Sequence, residues 1–208
     1  MLKILAFVAM AIDHIGVVFF PEYIIFRVIG RLALPLFAFG IARGYSKTKD
    51  VFDYGLRIMI LALISQPIFL LLFRSEKLNI CFTLLFGLIA IYAWNRKNNW
   101  HRFIGLMAVF ISSYFLNVEY GVYGVLMVLL FAVFKNPIKL IIAQSIITFS
   151  YIFLDNSLII QLFAIPAFFL ASYFQHLDFK IKRYLSYLFY PLHLLLLYIL
   201  KNILLLFK

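Results

Sequence analysis

Asp13 and His14 stand side by side in the middle of the chain's first apolar stretch, MLKILAFVAMAIDHIGVVFF. A carboxylate or an imidazole in hydrocarbon must find partners or change protonation, so ionisable residues inside membrane spans point to reaction centres or ion pathways. Two arginines answer them in the next apolar stretch. Arg27 and Arg31 are four apart and share one helix face, and Pro35 continues that line one turn further. Counted from Lys3, Asp13 and His14 lie roughly 15 Å deep, and Arg31 reaches a similar depth from the other side. Asp13 is therefore the natural counter-ion for Arg31 or Arg27. His14, about 100° further round the helix, is left available as a base, because a neutral imidazole titrates near the working pH.

Other polar positions lie in apolar surroundings. Arg57 falls in the first half of the third apolar stretch, and Ser65, Gln66 and Pro67 fall towards its far end, where proline can interrupt a helix and free backbone carbonyls. Asn79 and Thr83 share a face at a four-residue step, with Gly87 in line. In the last stretch Tyr190 and His193 are three apart and line one groove around Pro191. Each has a plainer reading beside the chemical one. An Asp–Arg pair between helices can be an assembly lock, Arg57 can snorkel, Asn79 can cap a helix, and His193 can be a structural partner instead of a second proton carrier. Cys81 is the single cysteine, which excludes an internal disulfide framework and a cysteine-built metal site and suits a small core filler. No metal is expected.

The elements that must position these groups follow from composition. Hydrophobic residues make up 66% of the 208 and charged residues 13%, with mean hydropathy +1.05, against roughly 45–50% apolar and 25% charged in a soluble domain. Apolar runs long enough to cross a hydrocarbon core of about 30 Å recur with short polar breaks. They predict an all-α, polytopic bundle of about nine spans, within eight to ten, forming one domain over 1–208. The spans run near 3–20, 24–42, 52–73, 79–95, 103–117, 120–134, 138–154, 157–174 and 185–207. Only Asn117 to Tyr120 separates the fifth from the sixth, so one long tilted or re-entrant segment is the alternative there. The start resembles a secretory leader only superficially, since Asp13 and His14 interrupt its apolar run.

Basic residues collect in alternate connections: Arg43, Lys47 and Lys49; Arg96, Lys97 and Arg102; Lys135 and Lys139; Lys180, Lys182 and Arg183. The intervening ones carry Glu22, Glu119 and Asp155, while Arg74, Glu76 and Lys77 nearly cancel. By the positive-inside rule this places the N-terminus in the cytoplasm and the C-terminus outside. The net charge of +11 then faces anionic membrane lipids, not nucleic acid.

The blocks LKILAFVAMAIDHIG, FRVIGRLALPLFAFGIARGY, YGLRIMILALISQP, LNICFTLLFGL and FYPLHL, in this order and spacing, resemble the TraX family of membrane proteins. The resemblance covers nearly the whole chain, although residues 96–180 match by hydrophobicity alone. It implies an acyltransferase-superfamily-like bundle in the bacterial cytoplasmic (inner) membrane, similar to the proteins that acetylate the N-terminus of F-type pilin. The family pattern falls on Asp13, His14, Gly30, Arg31, Pro35, Arg57, Ser65, Gln66, Asn79, Tyr190, Pro191 and His193. Acyl transfer needs a base, donors for a developing oxyanion, and cations for the donor's phosphates. Under this resemblance His14, Asp13 and Arg31 form the catalytic group, with His14 the base and Arg31, Arg27 or Asn79 polarising the thioester. Arg43, Arg57 and the basic loops would meet the phosphates of acetyl-CoA, the expected co-substrate. Ser65, Gln66, Thr83, Tyr190 and His193 would complete the substrate site. The acceptor would be a peptide, a pilin or an envelope component. Two other classes stay open: a proton-coupled transporter, for which intramembrane Asp and His relays are usual, and a non-enzymatic assembly factor.

Overall fold

The computed structural model describes residues 2–154, 156–173 and 183–206, and among these the protein is all-α. Of the residues invoked for charge alternation, Asp155, Lys180 and Lys182 lie outside the described set. Ten α-helices follow in order: α1 (Leu2–Phe19), α2 (Ile24–Gly30), α3 (Ala33–Lys47), α4 (Val51–Phe73), α5 (Ile80–Trp94), α6 (Asn99–Phe115), α7 (Gly121–Val133), α8 (Pro137–Leu154), α9 (Ile165–Tyr173) and α10 (Arg183–Leu206), with a 3-10 stretch at Asn156–Ala164 before α9. With α2 and α3 as one interrupted segment and the 3-10 stretch joined to α9, the described helices fall on the nine expected segments. Five stretches, Leu2–Phe19, Ile24–Lys47, Val51–Phe73, Pro137–Leu154 and Tyr184–Leu206, are long and apolar enough to cross a membrane. Large apolar side chains such as Leu63, Ile64, Phe103, Ile111 and Phe149 cover the outside, as a lipid-facing surface requires.

Helix starts are fixed by side chains that satisfy first-turn N–H groups. Asp50 accepts from the Asp53 amide at 3.0 Å, Asn98 from Trp100 at 2.8 Å, and Asn136 from Ile138 at 2.9 Å. Pro67 and Pro191 sit inside helices that continue through them. The interruption expected near Pro67 therefore does not occur. Pro35 acts differently. It has no N–H for the Arg31 carbonyl, and its ring crowds that carbonyl, so the second span breaks into α2 and α3 at Arg31 and Leu32.

The fifth and sixth segments are separate helices, α6 and α7, so they do not form one continuous long helix. The turn between them uses left-handed backbone at Asn117 (φ 48) and Tyr120 (φ 61). It pairs with the start of α5: the Leu78 amide donates to the Asn117 carbonyl at 3.2 Å and the Glu119 amide to the Leu78 carbonyl at 2.8 Å. Helix α5 spans about 22 Å and α7 about 20 Å, both shorter than a hydrocarbon core. Close contact compensates for the lost length. A methyl group on Gly87 would strike Val128, and one on Gly124 would strike Thr83, so these glycines let α5 and α7 approach backbone to backbone.

Candidate functional site

Three short-range events place the charged centre. Gly30 ends α2 against α1, where any Cβ would fall on the Asp13 carboxylate. The break at Arg31 and Leu32 follows, and the Arg31 side chain is buried there. Asp13 then meets both arginines: Arg27 Nη1 donates to Oδ2 at 2.7 Å and Arg31 Nη2 to Oδ1 at 3.1 Å. Arg31 is the buried partner, with its side chain 3% exposed against 37% for Arg27. Arg31 Nε also donates to the Arg27 carbonyl at 3.2 Å, and its guanidinium lies 5.7 Å from the centre of the Tyr120 ring. One carboxylate thus holds two cations, and the turn carrying Glu119 and Tyr120 closes over them.

His14 points away from this cluster into α10. Its Nδ1 lies 2.7 Å from His193 Nε2, with the two rings nearly parallel and 5.0 Å apart. His193 Nδ1 lies 2.9 Å from the Phe189 carbonyl. That carbonyl only accepts, so with both rings neutral the proton on His193 sits on Nδ1 and its Nε2 is an acceptor. His14 must then donate from Nδ1, which leaves a lone pair on His14 Nε2. The chain of carbonyl, His193 and His14 thus puts the proton on Nδ1 of both rings. Phe73 packs edge-on against His14 at 4.9 Å, and the Tyr190 ring lies 6.5 Å away.

A cavity of about 320 Å³ approaches this pair from the end where α1 begins and α3 ends. Lys3, Lys47 and Arg57 line it near that end, while Met10, Cys81 and Tyr190 line its depth. Met10 is one helical turn before His14. Two smaller cavities beside it take in Arg43, Lys47 and Lys135, so this end of the bundle is basic.

The remaining candidates divide. Arg57 and Tyr190 line the main cavity, Arg43 borders its neighbours, and Ser65 is fully buried with its hydroxyl unpartnered. Asn79 is instead engaged by the fold. It caps α5 by accepting from the Cys81 amide at 2.9 Å, and its amide donates to the Ala62 carbonyl at 2.9 Å and to Gln66 Oε1 at 2.8 Å. Gln66 also donates to the Lys77 carbonyl at 3.0 Å, and the Thr83 hydroxyl donates to the Glu119 carbonyl. These three fasten α4 and α5 to the α6–α7 turn, so Asn79 is not placed to polarise a carbonyl. Arg31 is similarly committed to Asp13. Ser186 and Met10 have no part in the sequence reading, and Cys81 and Glu119 enter it only as a core filler and a connection charge. Ser186 alone carried a signal, four residues before Tyr190 on the same face. Among the described residues no group of three His, Cys, Asp or Glu is placed to hold a metal ion.

A helical membrane bundle with a carboxylate, two arginines and two imidazoles enclosed among its spans is an integral membrane protein built around an ionisable centre. Residues 1–201 match the family model for TraX protein, and the chain belongs to that family. It is 27% identical to the probable fimbrial assembly protein FimC, serogroup H1, of Dichelobacter nodosus, covering 94% of this chain and 92% of that one. It is 34% identical to an uncharacterized protein of Rickettsia prowazekii (strain Madrid E), covering 58% of this chain and 49% of that one. No solved structure matches it.

Proposed function

We propose that this protein is a pilin-related membrane acyltransferase, moving an acetyl or short acyl group from cytoplasmic acyl-CoA to an amine or hydroxyl of a pilin-like peptide or envelope acceptor. The observation that carries this reading is the Phe189–His193–His14 chain, which leaves a lone pair on His14 Nε2, with Met10, one helical turn before His14, lining a cavity that has a basic mouth. The bundle lies in the bacterial cytoplasmic membrane with the N-terminus and the basic connections inside. Acyl-CoA enters from that side with its phosphates against Lys3, Lys47, Arg43 and Arg57. The acceptor's nucleophilic nitrogen or oxygen attacks the thioester carbonyl carbon while His14 Nε2 takes its proton. The tetrahedral intermediate collapses, the C–S bond breaks, and the departing thiolate recovers the proton from His14. Asp13 holds Arg27 and Arg31 and so fixes α1 against α2, with its neighbour His14 aimed at α10.

The test is transfer or hydrolysis of radiolabelled acetyl-CoA by the purified protein in lipid nanodiscs, with a co-expressed pilin-type peptide as acceptor. His14→Ala should lower turnover by about 10²–10⁴-fold, the usual contribution of a positioned base, with thermal unfolding little changed. The relative named as a fimbrial assembly protein favours a second reading, a non-catalytic assembly factor. That reading gains if no label moves and His14→Ala still supports assembly of the acceptor.

A further inference from the structure

We propose that the cytoplasmic cavity reads its donor by the pantetheine arm and thioester and leaves the nucleotide outside, so that Ser186 and Tyr190 are donor-binding residues. This rests on the acyl-transfer reading. Three buried polar atoms without a hydrogen-bond partner, Arg57 Nε, Ser186 Oγ and Tyr190 Oη, all belong to residues lining this one cavity. A buried donor left unpaired is costly unless a ligand or water completes it, and three in one cavity describe a ligand that carries acceptors along its length. Ser186 and Tyr190 are one turn of α10 apart, about 6 Å along the axis. That matches the two-methylene cysteamine link between the arm's last amide and the thioester. The Ser186 hydroxyl bonds that amide, and the deeper Tyr190 hydroxyl donates to the thioester carbonyl oxygen, beside His14.

Size sets the division. The cavity of about 320 Å³ is at the bottom of the ligand-site range of about 300–1,000 Å³. A thin arm with an acetyl group fits, and an added nucleotide does not. Met10, Cys81 and Leu84 close the depth with side chains buried to 8% exposure or less, leaving room for a short acyl group only. The nucleotide then rests at the mouth, where Lys3 and Lys47 meet phosphate and nothing encloses the adenine.

Two measurements test this. Acetyl-4′-phosphopantetheine should replace acetyl-CoA with kcat/KM within about tenfold, and Cys81, the single cysteine, should be shielded from a small methanethiosulfonate reagent by the S-methyl thioether of phosphopantetheine. Tyr190→Phe should lower kcat more than tenfold with donor KM little changed, and Ser186→Ala should raise donor KM while leaving acceptor KM alone. Acetyl-CoA turnover without phosphopantetheine turnover or Cys81 shielding would overturn the arm-recognition proposal and leave acyl transfer standing. Shielding without turnover of either donor would keep the pocket's ligand and remove the acyltransferase. Neither shielding nor turnover would remove both. Equal effects of Tyr190→Phe and Ser186→Ala on both substrates would reduce these residues to packing.

Discussion

Asp13 sets one negative charge against two guanidinium groups, and the two are not equivalent. Arg31 is buried while Arg27 is partly screened by solvent, so removing the carboxylate chiefly strands Arg31. Breaking a buried pair in this way costs about 3–5 kcal/mol. Asp13→Asn should lower the unfolding temperature in detergent markedly, and Arg27→Gln should do so far less; equal effects would contradict the asymmetry. Glu119, in the turn outside both α6 and α7, is pushed up to about 7 by its burial and then by the Asp13 charge, against the pull of Arg31, Arg27 and Lys77. A carboxyl raised in the folded state is favourable while protonated, so its stabilisation is full below about pH 4.5 and is lost as pH rises through about 7. Glu119→Gln should flatten the fall in unfolding temperature between pH 5 and 8. A parallel fall in both proteins would show that other groups titrate there.

The interrupted second span decides the geometry at the level of elements. Gly30 admits the Asp13 carboxylate against α2, and the span passes from α2 to α3 at Arg31 and Leu32 through backbone that stays right-handed helical. A methyl at residue 30 would meet the Asp13 carboxylate and its Cβ, so Gly30→Ala should push α1 from α2, separate Asp13 from Arg31 and cost about 1–3 kcal/mol, the usual penalty of overpacking. The diagnostic is a double-mutant comparison: Gly30→Ala should add less once Asp13→Gly has removed the atoms that the methyl meets. Strict additivity would place the two residues in separate interactions. The Asn79, Gln66 and Thr83 bonds have a related role. They tie α4 and α5 to the α6–α7 turn and so hold Tyr120 over Arg31.

At the scale of the whole molecule, one end of the bundle is basic and concave. Lys3, Lys47 and Arg57 line the main cavity there, and Arg43 and Lys135 line another. Single cysteines placed in the 43–50 and 135–139 connections of a Cys81→Ala background should react with membrane-impermeant reagents only from the cytoplasmic side. Labelling of both from outside would invert the orientation and with it the proposed entry of the donor.

Hydrophobic runs of the right length, broken by turn and charge, were enough to read an all-α bundle and its span order, because lipid forces every backbone polar group into helices. The same constraint made Asp13, His14, Arg27 and Arg31 conspicuous. The partners of these groups depended on packing. That His14 bonds His193, 179 residues away, that Asn79 serves the fold, and that Ser186 joins Tyr190 in one cavity follow from which helices are neighbours and how each is rotated. A period of 3.6 residues tells which side chains share a face and says nothing of which helix that face meets. The pairing of Leu78 with the α6–α7 turn, the seat of Tyr120 over Arg31 and the meeting of Arg31 with Asp13 were decided by the bundle as a whole.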